Sequence, residues 1–145
     1  MSTKIIAGLE GATSGDKALA HAHDLAKMIG DCELIVVYVI EWSPFTFQTP
    51  EENAERHKRR EEEIATAQQR VIDPALEALK ADGISARGVV RHGNVAVIIE
   101  QIAEEESAQQ IIVARKGTGG GLRERLMGST ASDLAMHSHR PVTVV

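Results

Sequence analysis

Five short strand-like runs, separated by stretches with helical periodicity, constrain the fold of this chain more than any other feature. Residues 4–9 (KIIAGL), 34–40 (LIVVYVI), 111–114 (IIVA) and 142–145 (VTVV) are short and almost continuously apolar, and residues 86–91 carry Val89 and Val90. Runs of that length and character suit strands buried on both faces. Between the first two, Ala18, Leu19, Ala22, Leu25, Ala26 and Ile29 recur at helical spacing. Ser14 or Asp16 is placed to cap that helix and Gly30 to stop it. Residues 51–80 form a long charged helical pattern; Pro74 interrupts it and predicts a kink, or a fresh start after Asp73. Gly83 ends that pattern, and His92, Gly93 and Asn94 read as a turn whose Asn94 caps residues 95–106. A last helix is expected from about Ser129 to His137. The order β-α-β-α-β-α-β-α-β predicts an α/β fold, a single-domain three-layer sandwich in which right-handed crossovers build a parallel sheet. No internal repeat and no linker is evident.

Composition narrows the partners. The chain has 145 residues with 43% hydrophobic and 26% charged residues, an ordinary balance for one globular domain. A net charge of −5, with no basic stripe free of acids, argues against a nucleic-acid partner. The one cysteine, Cys32, excludes an internal disulfide framework and fits a reducing compartment. No basic segment followed by an apolar run opens the chain, and no apolar run approaches a membrane span. The expectation is a cytoplasmic protein without a membrane partner.

Residues 111–130, IIVARKGTGGGLRERLMGST, carry the clearest chemical signal. A buried strand runs into a glycine-rich turn and one basic amphipathic turn, and then Gly128, Ser129 and Thr130 open the last helix. The first amides of a helix lack intrahelical partners, and its dipole favours negative charge, so phosphates are expected there. In an open parallel sheet, ligands sit beyond the carboxyl ends of strands where the winding reverses. The loops at residues 8–15 and 115–121 would face one another across that crevice.

Other motifs fail or read as structure. Residues 11–17 (GATSGDK) are too short for a P-loop, and Leu122 spoils a dinucleotide fingerprint over residues 117–122. The Thr-Ser-Gly turn loosely resembles a flavin-phosphate loop without the aromatic walls a flavin wants. His21 and His23 point different ways from one helix, and His137 and His139 straddle a helix end, so no metal site is expected. Cys32 reads as a buried structural thiol. Trp42, Phe45 and Phe47 form a loop over the sheet edge, a helix, a flap over a ligand ring or a partner surface. Glu52–Arg56, Glu55–Arg59 and Arg59–Glu63 are i,i+4 pairs on a solvated face.

Taken together and in order, these segments resemble the universal stress protein family over essentially the full length. Residues 4–11 (KIIAGLEG) look like its opening strand and "D-G-S" turn, residues 37–40 (VYVI) like its "L-H-V" strand end, and residues 90–94 (VRHGN) like its "G-x-P" turn. Residues 122–129 followed by PVTVV look like its C-terminal signature. The resemblance implies a five-stranded parallel sheet in the order 3-2-1-4-5, the Rossmann-like adenine nucleotide alpha hydrolase-like fold. It also implies a homodimer through the last strand, whose apolar edge wants a partner.

The nucleotide-binding branch of that family carries G-x2-G-x9-G-[ST]. Gly128 and Ser129 match its end, while its first two glycines fall on Arg115 and Thr118. Its adenine-side acid falls on Glu10, beside Gly8 and Leu9. The resemblance therefore implies ATP, or AMP, ADP or cAMP, with Val39 backbone groups and Glu10 at adenine and ribose. Gly128, Ser129 and Thr130 would take the phosphates, with Thr118 and Arg115 beside them. Mg is implied only with ATP, and any ATP hydrolysis would be slow, since neither a base nor a P-loop lysine is assigned. Arg115 would either fork its donors to phosphate or fill the pocket against Glu10. In the latter case, the same fold would act as a dimeric interaction module in a stress response. An adenylating transferase on a related scaffold would need phosphate motifs that are missing here.

Overall fold

A computed structural model describes residues 2–10, 16–41, 49–115 and 127–145. The strands are β1 (Thr3–Leu9), β2 (Cys32–Glu41), β3 (Ser85–Gly93), β4 (Gln110–Val113) and β5 (Val142–Val144). The helices are α1 (Lys17–Ile29), α2 (Pro50–Ala67), α3 (Asp73–Ala81), α4 (Val95–Glu106) and α5 (Ser129–His137). All strand pairs are parallel, and the sheet order is β3-β2-β1-β4-β5. The winding therefore reverses between β1 and β4.

Residues of β1 alternate between two cores because successive side chains leave opposite faces of a strand. Ile5, Ala7 and Leu9 pack with α1 and with Ile72, Ala75 and Leu79. Ile6 lies on the other face with Ile35, Val37, Ile99, Ile102 and Leu134. Helices thus cover both faces, which is why the central strands carry almost no polar residue. The buried stripe of α1 is Ala18, Ala22 and Ala26, whose small side chains let the helix lie close to the sheet. Ile29, expected on that stripe, remains 39% exposed.

Local capping follows the sequence signals. Asp16 accepts from the amides of Ala18 and Leu19 at 2.9 and 3.3 Å, and Asn94 accepts from that of Val97 at 3.1 Å. Thr49 and Glu52 form a reciprocal capping box on α2. Gly30 closes α1 at φ 82°, a conformation costly for a side chain. The fresh start expected at Pro74 is present: α3 begins at Asp73 with Pro74 in its first turn, directly after a π-helical turn over Gln68–Ile72. Such a turn shifts the hydrogen-bond ladder near a residue with no N–H to contribute. One expectation is corrected: His92 and Gly93 are not a turn, because β2 runs long enough to pair Ile40 with His92 and Glu41 with Gly93.

Cys32 is buried and unpaired, and burial, helped by Asp31 and Glu33, pushes its thiol pKa up. That is an inert thiol. No described helix is long and apolar enough to cross a membrane. The aromatic segment with Trp42, Phe45 and Phe47, Thr118, and the glycines at 117 and 119–121 lie outside the described residues.

Candidate functional site

The strand registers open a crevice at the point where the winding reverses. Pairing of β1 with β4 ends at Ala7 and Ile112, and pairing of β1 with β2 ends at Leu9 and Tyr38. Pairing of β2 with β3 nevertheless continues to Glu41. Among the described residues, Val39, Ile40 and Glu41 are therefore paired with a strand on one side only, and their β1-facing edge opens into the crevice. Backbone donors and acceptors on such an edge are free to meet the edge of a planar heterocycle.

A cleft of about 480 Å³ fills this space, a volume in the usual range for small-molecule sites. Its apolar lining includes Leu9, Val39, Val95, Ile99 and Val113. Gly8 also lines it, and a Cβ there would stand 3.0 Å from Ile99 Cδ1 and 3.1 Å from Val113 Cγ1. Its lack of a side chain lets α4 approach β1.

Another wall is the start of α5. Gly128 is its N-cap and provides no side-chain cap, unlike Asp16, Thr49 and Asn94 on α1, α2 and α4. The Gly128 amide donates to the Arg115 carbonyl at 2.7 Å, and the first helical bond runs from the Ser132 amide to the Gly128 carbonyl at 3.0 Å. The amides of Ser129, Thr130 and Ala131 precede that bond, and all three residues line the cleft. They form the positive end of a helix dipole facing an open cavity, a geometry suited to an anion.

Of the residues expected from sequence, Gly8, Leu9, Glu10, Val39, Gly128, Ser129 and Thr130 are brought together around this one cleft. Arg115 is not among the described lining residues. It is exposed, and its backbone ties two elements, donating to the Val145 carbonyl at 2.6 Å and accepting from Gly128. Thr118 lies outside the described residues. The Glu10 amide donates to Asp16 at 3.3 Å. Crowding by surrounding protein, and secondarily the Asp16 carboxylate, raises the Glu10 pKa.

Sequence reasoning missed Tyr38, Glu41, Val95 and Ile99 as lining residues, and a polar side pocket beyond Glu41 of about 290 Å³. The position of α4 directly after Asn94 was the available signal for Val95. Glu41 lay just past the apolar run and gave none.

Solved structures share this fold along nearly the whole chain. A universal stress protein, UspA from Lactobacillus plantarum, aligns at 22% identity and TM-score 0.78, covering 99% of this chain and 97% of its own. One from Archaeoglobus fulgidus, in complex with dAMP, aligns at 16% identity and TM-score 0.57, covering 99% and 97%. One from Arabidopsis thaliana, with AMP bound, aligns at 14% identity and TM-score 0.61, covering 99% and 90%. No curated protein sequence matches the chain. The sequence model of the universal stress protein family, in contrast, matches residues 1–145, and the chain belongs to that family.

Proposed function

We propose that the cleft binds an adenine nucleotide, ATP or a shorter relative such as ADP, AMP or cAMP, in a regulatory stress-response role. One observation carries the reading: the one-sided strand edge at Val39–Glu41 and the uncapped α5 amides line one cleft. The strand edge suits a base, the apolar lining its ring face, and the amides of Ser129 and Thr130 a phosphate. Gly8, Leu9 and Glu10 flank the ribose. The AMP and dAMP held by two structural neighbours support this ligand class. Arg115 acts at most from the margin. Mg accompanies only ATP, and hydrolysis is at most slow.

The protein acts as a cytoplasmic homodimer through β5. Among the described residues that strand pairs only with β4, so its other edge is left to a partner.

The test is calorimetric titration with ATP, ADP, AMP and cAMP, read alongside thermal unfolding. A ligand at a hundred times its Kd stabilises the fold by about 2.7 kcal/mol. The Gly128→Asp variant places a carboxylate at the N-cap of α5, where φ −62° and ψ 162° accept any residue. It should keep or slightly raise stability while abolishing the ligand-induced shift, because its own oxygen occupies the amides. Absence of heat and stabilisation with every nucleotide would leave only the dimeric interaction module.

A further inference from the structure

Away from the cleft, one set of metal-competent side chains converges among the described residues. Glu100, Glu104 and His139 each bring a ligand atom within 4.8 Å of the other two. The glutamates lie one turn apart on α4, so their carboxylates share a face. The chain leaves α5 through extended Ser138 and sets His139 against that face. Its Nδ1 is 3.9 Å from Glu100 Oε1 and 3.8 Å from Glu104 Oε1. None of the three lines the cleft or its side pocket.

These distances suit a shared ion better than a direct contact. At 3.8–3.9 Å neither carboxylate hydrogen-bonds to the imidazole nitrogen. Donors about 2.0–2.2 Å from a tetrahedral zinc ion stand about 3.3–3.6 Å apart, so small side-chain rotations close the set. Glu100 is already oriented: it accepts from the Ser138 hydroxyl at 2.6 Å and the His139 amide at 3.0 Å, and lone pairs remain on both oxygens. Outer partners of that kind hold a ligating carboxylate in place. Arg140 stands 3.8 Å from the other Glu104 oxygen and also donates to the Ala108 carbonyl. It offsets part of the local negative charge and leaves Glu104 Oε1 to an ion. Imidazole suits zinc, copper or nickel, whereas magnesium and calcium prefer oxygen alone. The class of ion that uses all three donors is therefore a divalent transition metal.

We propose that Glu100, Glu104 and His139 form a binding site for such an ion, with water completing its coordination. Bound there, the ion ties α4 to the turn that enters β5 and stabilises the folded chain by mass action.

The experiment is calorimetric titration of the nucleotide-free full chain with Zn²⁺, Mg²⁺ and Ca²⁺, read alongside thermal unfolding. It is repeated with His139→Ala and with Glu104→Gln. Those side chains are 82% and 57% exposed, so neither substitution threatens the fold. One zinc ion per chain is expected, with a rise in Tm. Each variant should weaken zinc by more than about tenfold, since even a lost outer partner costs that much. Magnesium and calcium should bind weakly and ignore His139. Zinc binding unchanged in His139→Ala would overturn the inference, because other donors would then hold the ion. Equal affinity for zinc and calcium, erased by salt, would also overturn it as the mark of a diffuse acidic patch. So would the absence of zinc binding.

Discussion

Gly88→Ala tests the packing of the π-helical turn against the sheet. Gly88 lies in β3 opposite Val36, and a Cβ there would fall inside the Cγ2 methyl of fully buried Ile72. That methyl branches from Cβ on a helical backbone, where χ1 has essentially one allowed well, so it cannot swing aside. Forcing an extra methyl into a filled core costs about 1–3 kcal/mol, while replacing a strand glycine by alanine returns about 0.5–1 kcal/mol. The net expectation is a loss of about 1–2 kcal/mol, a fall in Tm of about 3–6 °C for a chain of this size. Ile72→Ala alone should cost about 2–5 kcal/mol. With Cγ2 gone, the nearest remaining atoms are Ile72 Cβ at 3.4 Å and Leu76 Cδ1 at 3.6 Å, ordinary contacts. Gly88→Ala should then become neutral or stabilising. Urea unfolding of all four proteins measures the cycle. Equal destabilisation in both backgrounds, or none in either, would refute the contact.

Glu100 accepts from the Ser138 hydroxyl at 2.6 Å and the His139 amide at 3.0 Å, holding the turn from α5 to β5. Glu100→Ala should cost about 1–3 kcal/mol in urea unfolding, since both donors lose their partner. Glu106 pairs with Arg87 and, at 3.5 Å, with Lys4; the Arg87 hydrogen bond is the main reason its pKa lies below the ordinary 4.5. A depressed carboxyl pKa stabilises the fold above the unfolded value and ceases to do so as pH falls through the folded one. Glu106→Gln should therefore be less stable than the parent at pH 7 and converge with it in acid, as unfolding curves across pH would reveal. Arg115→Gly should leave nucleotide affinity nearly unchanged by calorimetry, because the Arg115 backbone rather than its side chain meets the α5 start. A strong gain or loss of binding would instead place that side chain in the cleft.

Much of the site was legible because its parts are local. Asn94 before Val95 marks a helix start within four residues of chain, and Gly128-Ser129 marks another, so both α4 and α5 lay where periodicity and capping put them. The π turn was not legible, because Pro74 forbids a regular ladder without choosing between a break and a shifted one. The strand character of His92 and Gly93 also escaped, since it depends on Ile40 and Glu41 across the sheet.

The sequence by itself determined the alternation of strands and helices, the parallel sheet that alternation demands, and the glycine at the start of α5 that leaves its amides uncapped. Only the tertiary structure decided that β2 outruns β1 by Val39–Glu41, and that α4 contributes Val95 and Ile99 to the cleft. It alone brought Glu41 and Asp133, far apart in the chain, to one side pocket. Helix and strand periods are written in neighbouring residues. Which strand edges stay unpaired, and which charges share a cavity, depend on where each crossover lands.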